Sequence, residues 1–303
     1  LLGLGVVAAV LLVLRVGAGW YLHSSGGRAV VANRIGAAIG LPVEVGALSV
    51  GPEHSTIAFR VLDPALGSSP EAEVLGVESA SADVSFAELV TGRVRPSEVK
   101  LRGVAVSLQL DSSGRLITTL PTPPESTGPV SGPFPTITVE GGRVTVRQEG
   151  RPAFTIGNVT LHAAPQDGKV KLSGTAADPA WGNWTLAGEF DPAAGAGWVE
   201  AGTDDGPVKL DLLRTIPYIP APVWDHVQPA GRGKATVRVT VGPAPAHAVG
   251  YDVRVRPTDV AVGIPAAEVT LQKARGIVRV HDGKVDIGGA ADGEAATAEL
   301  AGG

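Results

Sequence analysis

From Leu41 onward the apolar residues of this chain recur at every second position, and that period constrains the fold more than any other feature. Side chains two apart share one face of a strand, so the period predicts strands with one apolar and one polar face. In the cleanest example Lys234, Thr236, Arg238 and Thr240 alternate with Ala235, Val237, Val239 and Val241. No helical pattern of βαβ length separates the strands, which argues against a parallel sheet. The expected class is mainly β and antiparallel.

Strands are expected around Val43, Val45 and Leu48, around Ile57, Phe59 and Val61, over 74–86 and over 99–110, with 115–120 returning as an edge strand. Residues 85–90 read as one helical turn between two of them. The stretch 121–135, PTPPESTGPVSGPFP, can neither pack nor ladder and reads as a linker. It separates a β region over 41–120 from a repeated-hairpin region over 136–303. In the latter, hairpins are expected about Glu140-Gly141-Gly142, Gln166-Asp167-Gly168, the 191–196 turn and His281-Asp282-Gly283. Residues 208–224 break the pattern, with a short helical piece from about Asp211 and then a Pro-rich apolar loop. Trp181 and Trp184 around Gly182-Asn183 read as a turn capped by aromatic packing, or else as a ligand-contacting rim. Aromatics are only 4% of the chain, so no single side chain should dominate the core. Phe190, on the face of Trp184 and Leu186, is the expected exception.

The N-terminus follows a different rule. Residues 1–22, LLGLGVVAAVLLVLRVGAGWYL, would form a helix of about 33 Å, enough to cross a hydrocarbon core of about 30 Å. Arg15 alone interrupts it, and its cost of about 2.5–3.5 kcal/mol is outweighed by twelve Leu and Val residues at about 0.3–0.6 each. A transmembrane anchor is the expectation; a cleaved signal peptide, with Val16-Gly17-Ala18 as its processing site, and a buried core helix are the other readings. Over 23–40 the spacing of Val31, Ile35, Ala38 and Ile39 predicts a short amphipathic helix, stopped by Gly40. It would either pack on the end of a sheet or lie on the membrane surface. With no Met and a first residue already inside an apolar run, the sequence reads as a piece of a longer chain, and 295–303 reads as the opening of another strand.

Composition removes several function classes. There is no Cys, hence no disulfide framework, thiolate zinc site or Cys nucleophile. The net charge of −5 offers no basic field for nucleic acid. His23, His54, His162, His226, His247 and His281 are scattered, without metal-ligand spacing. Gly231-Arg232-Gly233-Lys234-Ala235 lacks the first Gly and the hydroxyl of a phosphate loop, and no Gly-x-Ser-x-Gly elbow is present. No catalytic residue, metal or cofactor is expected, and the chain does not read as an enzyme.

The order of several weak motifs carries a resemblance. An apolar anchor, a short helix ending Ile39-Gly40-Leu41-Pro42-Val43-Glu44-Val45-Gly46, then Phe59-Arg60-Val61-Leu62-Asp63-Pro64, then Val99-Lys100-Leu101-Arg102-Gly103-Val104 leading to Leu108-Gln109-Leu110-Asp111 and Gly114-Arg115-Leu116, resembles the N-terminal portion of bacterial AsmA-like proteins, the relatives of TamB. Pro229-Ala230-Gly231-Arg232-Gly233, Tyr251-Asp252-Val253 and the stretch from Gly276 to Val285 are similar to the repeating strands of that group. The resemblance implies a single-pass inner-membrane protein whose body stands in the periplasm as an elongated, curved antiparallel β-sheet groove, a β-taco. It implies phospholipid acyl chains as cargo between the inner and outer membranes, envelope assembly proteins as further partners, and no catalytic residue.

If the strands over 233–241, 249–256, 276–281 and 284–288 are neighbours, alternation places Val237, Val239, Val241, Tyr251, Val253, Val255, Val278, Val280, Val285 and Ile287 on one face. Arg238, Asp252, Arg254 and Arg279 take the other. Left uncovered, the aliphatic face would suit acyl chains, which need no hydrogen bonds from a wall. Covered by a second sheet, by the 208–224 loop or by a partner's strand, it would be an ordinary core of a structural or assembly factor. The topology is open to direct measurement: reporters fused within 121–135 should report a location outside the cytoplasm, and activity of a cytoplasm-only reporter there would contradict the anchor's orientation.

Overall fold

Strands adjacent in sequence pair with one another along most of the chain, even where the connection between them is long, and the order departs from the chain only near its end. The structure is a computed structural model that describes residues 25–50, 55–67, 72–83, 96–119, 134–217, 219, 221–243, 249–281, 284–288 and 295–300. The apolar run over 1–22, the helical turn at 85–90, nearly all of the 121–135 linker and the turn at 282–283 lie outside the described residues. Among the described residues no helix is long and apolar enough to cross a membrane. The protein is mainly β. Two compact units divide it: Leu1–Leu110, Arg115–Thr145 and Asn158–Asp167 form the first, and Asp111–Gly114, Val146–Gly157 and Gly168–Gly303 the second.

The first unit holds helix α1 (Ser25–Ile39) and strands β1 (Val43–Val50), β2 (Ser55–Leu62), β3 (Glu73–Ala82) and β4 (Glu98–Leu110), with the larger parts of β5 (Thr136–Gln148) and β6 (Phe154–Gln166). Its order is β1-β2-β3-β4-β5-β6. Alternation delivers the core directly. Val61 lies opposite Val43 and Leu75, Phe59 opposite Val45 and Val77, and Ile57 opposite Ala80, with Ile57, Phe59, Val61, Leu75, Val77 and Ala80 buried. Val31 and Ile35, one helical turn apart, are buried as well, and α1 packs on β1. Gly40, at φ 76°, ends the helix, its N–H donating to the Gly36 carbonyl at 2.8 Å.

Two expected features differ. Residues 115–120 form no edge strand among the described positions; a single bridge joins Leu110 to Leu116. The Ile117 and Thr118 N–H groups both turn to the Gln109 carbonyl, and side-chain acceptors take two others. The hydroxyl of Thr118 accepts the Gln109 N–H at 2.7 Å, and Asp63 accepts the Thr119 N–H at 2.7 Å. Nor does Glu140-Gly141-Gly142 reverse the chain, because β5 runs unbroken through it. The positive φ of 65° at Gly141 is absorbed within the strand, while Glu140 reaches Arg102 at 2.9 Å.

The second unit holds β7 (Lys169–Asp178), β8 (Gly182–Asp191), β9 (Ala196–Val208), helical turns α2 (Leu210–Leu213) and α3 (Val223–His226), β10 (Gln228–Val241), β11 (Val249–Ile264), β12 (Val269–Arg275), β13 (Val278–His281), β14 (Lys284–Ile287) and β15 (Thr297–Leu300). The order is β7-β8-β9-β10-β11-β12-β15, and β13 takes a separate stretch of β11 and carries β14. The strands expected over 249–256 and 259–264 are one, since a register shift at Thr258 lets β11 continue. Here the large buried aromatics are Trp181 and Trp224, and Phe190 stays half-buried. Phe190 lies opposite Gly197 on β9, which offers it no side chain, and opposite the buried Val170 on β7. The Trp181 turn is as expected: Asp178 Oδ1 accepts the N–H groups of Ala180 and Trp181, the Trp184 indole donates to the Trp181 carbonyl at 2.9 Å, and Phe154 tilts against the Trp181 ring at 5.3 Å.

Asp63 gives the first unit a checkable dependence. Its wholly buried carboxylate accepts the N–H groups of Ala65 at 2.9 Å and Thr119 at 2.7 Å. Hydrogen bonds to a charged acceptor are worth about 1.5–3 kcal/mol, so Asp63→Ala should lower unfolding free energy by about that amount in denaturant melts. Asp63→Asn, which keeps one acceptor, should lose less.

Candidate functional site

The pairing of β10, β11, β13 and β14 brings all ten sequence-predicted lining residues together. Val237 lies opposite Val253, Val239 opposite Tyr251, Val253 opposite Val280, Val255 opposite Val278, Val278 opposite Ile287 and Val280 opposite Val285. Val241 lies opposite Val249, which alternation adds to the same face. None of the ten is fully buried. Val239 is 38% exposed, Val285 60% and Ile287 73%. Isolated apolar residues on a surface are ordinary, but a contiguous row across four strands is not.

The stripe extends further than the sequence reading took it. Across β9, Val239 meets Val199 and Val237 meets Ala201; across β8 these meet Gly188 and Leu186; across β7 those meet Leu172 and Gly174. Val199 is also exposed. The signal was present in the alternation of β7 to β9, but Gly at 174, 188 and 197 interrupts it. Those glycines are partly steric, since a Cβ on Gly188 would stand 2.6 Å from the Trp198 carbonyl and 3.1 Å from Leu172. Leu172 and the neighbouring backbone already fill the space over Gly188, which is buried.

The other face is a ladder of charges. Arg238 pairs with Glu200 at 3.5 Å and lies 4.2 Å over the Trp198 ring. Asp252 takes Arg279 at 2.6 Å and Arg254 at 3.1 Å, His281 meets Asp286 at 2.8 Å, and Arg232 and Lys234 reach Asp205 and Asp204. Exposed pairs of this kind contribute about 0–1 kcal/mol each, but together they orient the sheet, because flipping a strand would place charges among the valines.

One end of the apolar face is closed. The register shift at Thr258 keeps Val260 on the face of Val255, and Val262 and Ile264 follow. Thr203, Gly206 and Gly233 belong to the same face by register. Here Thr203, Gly206, Gly233 and Val260 are buried, where the residues towards Val239 are not. The segment 209–227 joins β9 to β10 at this end. Its α2 lies against β10 and its α3 against the 3-10 turn Pro265–Ala267 after β11. Arg151, in the turn between β5 and β6, donates to the carbonyls of Ile216 and Ile219 and fixes the middle of the segment. The described residues of this segment thus lie at the end of the sheet where the apolar face is buried.

Elsewhere, Glu44, Arg60, Glu73 and Glu78 line a shallow depression over Gly76 and Gly103 in the first unit, with Arg60 on Glu44 at 3.0 Å. Among the described residues no three His, Cys, Asp or Glu side chains gather as metal ligands would. Comparison with known proteins finds no matching family model, no matching curated protein and no matching solved structure.

The charge ladder makes a pH prediction. The Arg279 guanidinium, and secondarily Arg254, hold the Asp252 carboxyl down to about 2, against the smaller opposing effect of partial burial. A carboxyl depressed on folding stabilises the fold above its unfolded value and loses that contribution as pH falls through its folded value. The melting-temperature gap between the protein and Asp252→Asn should therefore be full near neutrality and shrink between about pH 4 and pH 2.

Proposed function

We propose that the second unit is a lining for acyl chains, the working part of a membrane-anchored protein of the AsmA-like kind that moves phospholipid between the inner and outer membranes. In this reading residues 1–22 hold the chain in the inner membrane, the body works in the periplasm, and the strands curve into a groove around the cargo. The observation that carries the reading is the stripe from Val199 through Val239 and Tyr251 to Ile287, mostly aliphatic, with Val199, Val239, Val285 and Ile287 exposed. Hydrocarbon is the occupant that such a wall favours. It gains about 25 cal/mol for each Å² of apolar surface removed from water, asks for no hydrogen bonds and can slide without register. An assembly factor that takes up a partner's strand is the second reading, favoured by the exposed valine and isoleucine of the short strand β14.

Val239→Glu separates an open lining from a surface that only a protein partner covers. At a site already 38% exposed, the carboxylate should cost about 1 kcal/mol or less in denaturant melts and still block lipid passage. Photo-crosslinking residues at Val239 and Val253 should capture lipid in cells. A folded protein whose crosslinkers capture only protein would favour the assembly reading and end this one.

A further inference from the structure

Among the described residues the second unit ends on two strand edges near the C-terminal side, and they differ in kind. β15 joins β12 through a register shift between Gln272 and Arg275, and its one charge, Glu299, is taken by Lys273 at 2.8 Å. β14 pairs with β13 without a break, from Val278 opposite Ile287 to His281 opposite Lys284. Among the described residues nothing pairs with its other side, and all four of its residues are exposed. A regular edge without Pro or bulge is the kind that takes up another strand.

The ladder fixes which backbone groups that edge offers. The Gly288 N–H donates to the Ile277 carbonyl at 3.0 Å. Hydrogen-bonded pairs alternate along an antiparallel ladder, so Lys284 and Asp286 bond to β13 while Val285 and Ile287 turn their N–H and C=O groups outward. The charges restrict the occupant further. Lys284 meets no carboxylate among the described residues, and Asp286 meets His281 through Oδ2 at 2.8 Å. A strand reading Lys-Val-Asp supplies its own complement. With a twofold axis at Val285, antiparallel pairing sets Lys284 opposite Asp286 of a second copy twice over, and Val285 opposite Val285. Moving the axis by half a residue would set Val285 against Asp286 and mix the two faces; moving it to Asp286 would set like charges opposite.

We infer that this edge is a self-association surface: two copies of the chain join antiparallel through β14, about a twofold axis at Val285, so that the apolar face of one copy runs on into that of the other. A twofold contact closes on itself, which limits the assembly to a dimer. The join stands apart from the acyl-lining reading, since it needs only the edge and its charges; under that reading it would make one lining out of two.

The test uses whole chains in detergent. The protein has no Cys, so introduced thiols report the register. Differently tagged Lys284→Cys and Asp286→Cys copies, mixed and oxidised, should form a mixed disulfide, because opposed residues that exchange no hydrogen bonds stand about 4.5 Å apart between Cα atoms. Either variant alone should not crosslink, since like positions across the axis lie about 8 Å apart, beyond disulfide reach. By light scattering, Lys284→Glu and Asp286→Lys should each weaken the dimer about tenfold or more, and an equimolar mixture of the two should restore it, because every opposed pair is then of opposite sign. Val285→Pro removes an outward N–H, leaves the β13 ladder whole and should abolish the dimer. If Asp286→Lys fails to fold, the disulfide and Val285→Pro results decide. A monomeric unsubstituted chain, no mixed disulfide, or a dimer that Val285→Pro leaves intact would overturn the inference. So would an open series of oligomers, the sign that β14 takes the β15 of the next copy.

Discussion

The second unit depends on one constraint: a pleated strand has two faces, and along β13, β14 and the facing parts of β10 and β11 the chain supplies full partners for only one of them. On the polar face nearly every charge meets another across the ladder, from Glu200 and Arg238 to Asp252, Arg254 and Arg279. On the apolar face the valines meet only each other, side by side, and neighbours within one sheet cannot remove one another's outer surface from water. That imbalance sets the register, because a one-residue slip would exchange the two faces. It also leaves apolar surface whose burial must come from outside the sheet.

The first unit resolves the same problem internally. Its strands bury Ile57, Phe59, Val61, Leu75, Val77, Val99 and Leu101, and α1 contributes Val31 and Ile35. Asp63 closes the corner where β2 ends by gathering N–H groups that no ladder satisfies. One kind of strand thus yields a closed core where a helix packs on it. It yields a more open face around Val239, Val285 and Ile287. Arg151 matters in that asymmetry, since its two bonds to carbonyls of the 209–227 segment hold it at the closed end.

Much of this was legible in the residues because strand alternation is local. The membership of Val237, Val239, Val253 and Val280 on one face needed only period two and the assumption that neighbouring strands pair. The turn at Trp181 was legible for the same reason, with Asp178 and Gly182 both standing where a tight reversal uses them. The misreadings share a cause. Glu140-Gly141-Gly142 and Thr258 carry turn or break chemistry, yet the strand runs through both, because the pairing on either side outweighs a local preference. The Gly interruptions at 174, 188 and 197 hid the extension of the stripe into β7 to β9, where small residues make room for a neighbouring backbone.

By itself the sequence determined the class of element, the side of each strand that is apolar, and the chemical poverty of the chain, with no Cys and dispersed His. These follow from covalent order alone, since side-chain alternation is a property of any extended backbone. Only the tertiary structure decided whether that apolar side is covered. Coverage depends on where a distant segment lies, and residues 209–227 carry nothing in their order to say that Arg151 would hold them at one end of the face.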